Sequence, residues 1–208
     1  MKEAHRALRE GTRAEHERLD GLFEAFDLGD RDQYTRFLSA HAEALLPVEA
    51  ALDGVADRVI ADWAQRRRSA EVQADLAALG AISATPNRTA PAEAPFFLCA
   101  RKKEEHRCDV VTVNGDEIDR DTLTPAIAGA LYVIEGSRLG GRVLARQVGA
   151  GFPIAYLGSE QPRGRWPALL EAIDVALPDA TATTLAVASA RAVFARFEVA
   201  GLRWSANG

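Results

Sequence analysis

Between Leu131 and Val148 the chain reads LYVIEGSRLGGRVLARQV. Leu131, Ile134, Leu139, Val143, Leu144 and Val148 recur with mostly helical spacing, which predicts a helix with one apolar side. The same stretch holds Gly136, Gly140 and Gly141, with Gly129 just before it. Each glycine inside a helix costs about 1 kcal/mol relative to alanine, so something must offset them. At about 100° per residue, Gly129, Val133, Gly136 and Gly140 fall within roughly 60° of one another, with Ser137 at the border. Two explanations fit such a strip. Another helix packs closely on the small residues, or a flat, bulky ligand approaches bare backbone. Adjacent Gly140 and Gly141 also allow the helix to bend.

A second helix with unusual chemistry is predicted at the N-terminus, over residues 3–28. Leu8, Thr12, His16, Leu19, Phe23 and Phe26 share one face, and His16 sits at its rim. Arg9, Arg13 and Asp20 flank it at −7, −3 and +4. A histidine in such a place is ordinarily a satisfied core residue. Two guanidinium groups on the same side suit instead an anionic ligand whose apolar body lies on the helix. Arg13 can equally pair with Glu17 as ordinary surface charge. His5 is near the same face but close to the fraying end, and ranks below His16.

Asp30 is the expected cap of a helix over 31–52, ended by Asp53-Gly54 and kinked at Pro47. His41 lies mid-face there, as a core histidine would. More helix is expected over 55–80, with Gly80 as its stop. The character changes over residues 81–121. Pro86, Pro91 and Pro95 exclude a helix, RKKEEHR is a charged run, and VVTVNGDEID couples β-branched residues to an Asn-Gly turn signal. An irregular loop or insertion with room for a short hairpin is the expectation there. His106 and Cys108 do not complete a zinc site. Thr124 and Pro125 are expected to open the glycine-bearing helix. Further helices follow over 166–177 and about 181–203. The whole, residues 1–208, is expected to be one all-α domain.

The formal net charge of −5 points away from nucleic acid, and Arg66-Arg67-Arg68 is expected to be a solvated helix face. No run of 18 apolar residues predicts a membrane span. MKEAHRALRE lacks an apolar signal core, and two cysteines make no disulfide framework, so a reducing, cytoplasmic setting is expected.

Together, LREGTRAEHERLD and GALYVIEGSRLGG resemble the haem oxygenase family, most nearly the bacterial branch associated with phytochromes. The likeness extends over nearly all of the chain outside 81–121. It implies a helical fold that sandwiches haem between a proximal helix and a glycine-kinked distal helix. By that resemblance His16 matches the proximal iron ligand, and Arg9 and Arg13 match the residues that meet the propionates. Gly136, Gly140 and Gly141 match the distal glycines. The implied chemistry is cleavage of haem with dioxygen to biliverdin, iron and carbon monoxide. Electrons would come from an external donor such as a reductase or ferredoxin-type protein, since the chain has no flavin or nicotinamide fingerprint. A bacteriophytochrome is the implied recipient of the bilin.

The sequence departs from the family at one position of consequence. Many members carry an aspartate after the first distal glycine, where it orders water; Ser137 stands here. Its hydroxyl holds water without charge, and Arg138 or Arg142 could assist. Leu131 stands where animal members place a propionate-contacting tyrosine, with Tyr132 beside it. The alternatives to an enzyme are a haem-binding protein for storage or sensing, and a helical interaction module whose glycine strip packs another helix.

Overall fold

The computed structural model describes residues 3–81, 98–101, 108–111, 120–159 and 162–205. The prolines at 86, 91 and 95, His106 and the Asn114-Gly115 signal lie outside the described residues.

Among the described residues, seven α-helices carry the fold: α1 (Glu3–Gly11), α2 (Arg13–Phe23), α3 (Arg31–Leu52), α4 (Ser69–Ala78), α5 (Arg120–Leu144), α6 (Arg165–Ala176) and α7 (Ala180–Ser205). The N-terminal helix expected over 3–28 is two. Thr12 turns out of helical geometry at φ −115°, ψ 7°, while its Oγ1 donates to the Leu8 carbonyl at 2.8 Å. The ladder still crosses this bend through Thr12 N to Leu8 O and His16 N to Thr12 O. A threonine hydroxyl that bonds its own preceding turn commonly bends a helix in this way.

α3 begins where Asp30 predicts, its carboxylate accepting from the N–H groups of Asp32 and Gln33. It continues through Pro47. The expected helix over 55–80 is instead two 3-10 turns, Ala56–Arg58 and Trp63–Gln65, followed by α4. Gly80, at φ +73°, supplies the left-handed residue that ends the segment. α5 starts at Arg120, earlier than Thr124, so Pro125 sits inside it. As the sixth residue of the helix, Pro125 forfeits one bond of the ladder, the one to the carbonyl four residues before it.

Leu98–Arg101 and Cys108–Val111 form an antiparallel hairpin, Leu98 opposite Val111 and Arg101 opposite Cys108. This is the one sheet among the described residues, and its first strand lies on α5 and α7.

α7 is the element on which α2, α3 and α5 all pack. Its buried residues include Ala182, Ala186, Ser189, Ala190, Ala200 and Gly201, so helices can approach it on several sides. Gly129 of α5 lies so close that an added methyl would fall on the Ala186 carbonyl, and Ser189 Oγ donates to Ala126 O at 2.7 Å. From Ala126–Ser189 to Gly129–Ala186 the numbers run oppositely, so α5 is antiparallel to α7. Gly11 against Val187, His16 against Phe194 and Leu22 against Gly201 run the same way, so α1 and α2 are parallel to it. No helix among the described residues is long and apolar enough to cross a membrane.

Candidate haem site

His16 lies on α2 with its side chain 62% exposed. Its Nδ1 is 2.9 Å from Asp20 Oδ2, one turn on, which leaves Nε2 as the nitrogen available to a ligand. The ring meets the edge of Phe194 on α7, with centroids 5.9 Å apart. An imidazole held at one nitrogen by a carboxylate, against an aromatic wall, is oriented as metal-binding histidines usually are. His16 and the glycine surface do not touch: the space beside Gly136, Gly140 and Gly141 is bounded by other residues or open.

The glycines of α5 divide by what they face. Gly129 packs on α7, so that end of the strip is helix contact and not groove. Gly141 is buried against Leu157, whose carbonyl oxygen would be 3.4 Å from an added methyl. A methyl added at Gly136 would lie 3.5 Å from the Trp166 ring, and one added at Gly140 would meet nothing within 4 Å. Bare, open backbone is thus confined to Gly140 and its exposed neighbour Ser137.

His5 proves to be nearer this region than its place at the chain end suggested. Its ring lies 6.0 Å from Tyr132 and 6.1 Å from Trp166, which itself covers Gly136. Burial and the nearby Arg9 guanidinium hold its pKa below the usual histidine value. Burial raises the Tyr132 hydroxyl, against the opposing pull of Arg9. Arg9 is exposed on this side of α1. Arg13 makes the ordinary pair with Glu17 at 2.8 Å, exposed on both sides, and both groups can swing away. His41 is a core residue. Its Nδ1 bonds the Phe37 carbonyl at 2.9 Å, and Phe23, Phe37, Tyr156 and Phe197 surround the ring.

Behind Ser137 lies a polar network that no periodicity announced. Arg66 and Arg68, expected on a solvated face, are both buried. Arg66 Nη1 bonds Glu135 Oε2 at 2.9 Å and Nε bonds Asp62 at 2.6 Å; these carboxylates outweigh burial and raise its pKa. Arg138 Nε bonds the other Glu135 oxygen at 3.1 Å, and its Nη2 donates to the Arg66 carbonyl. Burial and the neighbouring Arg68 cation push Arg138 down. Arg68 Nη2 donates to Ile134 O at 2.8 Å and to Ser137 Oγ at 2.6 Å. Arg142 is exposed. The one available sequence signal was a carboxylate, Glu135, inside an apolar helix face. Such a group requires a buried cation, and the arginine run was the nearest supply.

The residues fit a haem in their chemistry: an imidazole oriented by Asp20, cations on the same helix pair, and main chain left open at Gly140. No family model matches the chain. A haem oxygenase from Xanthomonas campestris pv. campestris (strain 8004) is 32% identical over 177 residues, 81% of this chain and 88% of that protein. With so much of both chains aligned and with this helical architecture, the protein belongs to the haem oxygenase family.

Proposed function

We propose that the protein binds haem between α2 and α5 and cleaves it to biliverdin, iron and carbon monoxide. The observation that carries this reading is the open backbone at Gly140, with Ser137 beside it, on a helix whose other glycines are covered. Haem, when bound, supplies the oxygen-activating iron and is also the molecule consumed. His16 Nε2 is the proposed iron ligand. Asp20 fixes the ring by accepting at Nδ1. Arg9 and Arg13 neutralise the propionates and set the ring's rotation. The main chain around Gly136 and Gly140 limits the space on the far face, and Gly141 lets Leu157 support that helix from behind. Ser137 donates to the Ile134 carbonyl at 2.8 Å, so toward the open face it can accept a hydrogen bond from water. A reductase or ferredoxin-type protein supplies electrons, and a bacteriophytochrome is the proposed recipient of the product, in the cytoplasm.

Purified protein with haem and ascorbate in air tests this. A falling Soret band with growing biliverdin absorption is expected; a persistent Soret band contradicts cleavage. A second reading, haem binding without turnover, rests on the Ser137 proton being spent within its own helix. It predicts an oxygenated complex that decays only to ferric haem.

A further inference from the structure

Arg68 is 2% exposed. Among the described residues no carboxylate lies within ion-pair distance of its guanidinium, and its buried Nε has no hydrogen-bond partner. The nearby acids are committed elsewhere. On α3, Glu49 accepts from the main-chain N–H of Arg68 at 2.8 Å and of Ser69 at 3.0 Å, and from the Ser69 hydroxyl. On α5, Glu135 is held by Arg66 and Arg138. The Tyr156 ring lies beneath the Arg68 guanidinium at 4.9 Å. That contact offsets part of the burial, but a ring face is not an anion. Burying a cation without a counter-charge is unfavourable unless something negative arrives.

The Arg68 guanidinium reaches α5, where its Nη2 donates to the Ile134 carbonyl at 2.8 Å as well as to Ser137. Arg68 Nη2 reaches Ser137 Oγ at 2.6 Å, and Ser137 faces the open side of α5. We propose that Arg68 is the positioning residue of the distal face, holding Ser137 as an acceptor and supplying positive potential for an anionic ligand there. This rests on the haem reading above. Where a carboxylate after the first glycine would bring negative charge, this chain brings a hydroxyl backed by a cation. The two arrangements order water with opposite electrostatics.

Two measurements test the proposal. In haem-free protein, Ser137→Asp supplies the missing counter-ion. It is expected to raise Tm by about 2–4 °C, with Ser137→Asn giving no gain. An equal or lower Tm for Ser137→Asp overturns the claim that Arg68 is uncompensated. In the ferric haem complex, the pH at which the acid spectrum converts to the alkaline one reads the distal potential. The alkaline form carries less positive charge, so a nearby cation favours it. Arg68→Gln is expected to raise that pH by about 0.5–1 unit, and Arg68→Lys to restore most of it. An unmoved transition with normal haem uptake overturns the assignment of Arg68 alone. Failure of the wild type to take up haem overturns the haem reading beneath it. If Arg68→Gln does not fold, Ser137→Asp still decides: its carboxylate opposes the Arg68 cation and is expected to raise the transition pH. A Ser137→Asp transition equal to the wild type's counts against the proposal.

Discussion

At the scale of single residues, the two glycines that look alike in sequence separate by what a methyl group would meet. Gly129→Ala drives a carbon onto the Ala186 carbonyl and must spread α5 from α7. A loss of about 1–3 kcal/mol in urea denaturation is expected. Gly140→Ala meets nothing. Helix propensity alone should make it neutral or stabilising by about 0.5–1 kcal/mol. His41 was legible as a core histidine because it stands mid-face; its consequence is a pH dependence. Burial holds its pKa down to about 4, against the ordinary histidine value in the unfolded chain. Above both values nothing differs. As pH falls through the unfolded value the unfolded chain takes up the proton first, so stability drops and levels off below the folded value. Between pH 7.5 and pH 5 this one ring should remove about 2 kcal/mol, and His41→Leu should flatten that part of the profile. Asp20→Asn should weaken haem affinity about 10-fold through the orientation of His16, measured by haem titration.

At the scale of elements, α3 and α7 follow their spacing and caps closely, since Asp30 and the breaker Pro178-Asp179 mark their starts. The bend at Thr12 was hidden because the apolar spacing runs through it. What bends the chain is one hydroxyl and the contact of Gly11 with Val187, neither of which alters periodicity. The hairpin of Leu98–Arg101 with Cys108–Val111 falls inside 81–121, where there was room for a short one. α5 hides the most. Its Glu135 is wholly buried and joins Arg66 to Arg138, so α5 is tied to the segment before α4 by the Arg66–Glu135 ion pair. Glu135→Ala removes the counter-ion of buried Arg138 and leaves Arg66 with Asp62 alone, and should cost about 3–5 kcal/mol, whereas truncating the exposed Glu17 beside Arg13 should cost under about 1 kcal/mol. Chemical denaturation of the two variants separates these outcomes.

At the scale of the molecule, α7 is the common floor on which the two halves of the candidate site stand. His16 meets it at Phe194, while Gly129 meets it at Ala186, and Gly136 lies beyond, beside Trp166. Periodicity put His16 and the glycine strip on faces of two helices, α2 and α5, and ranked His5 below His16 for its place near the chain end. His5 reaches Tyr132 and Trp166 because α1 and α2 are parallel to α7 while α5 runs the other way. Which histidine holds the iron is therefore the point on which the account turns. The most direct measurement is the resonance Raman iron–histidine stretch of the ferrous haem complex in His16→Ala and His5→Ala. The account predicts that His16→Ala loses the band and His5→Ala keeps it. A band that survives in His16→Ala and vanishes in His5→Ala contradicts it.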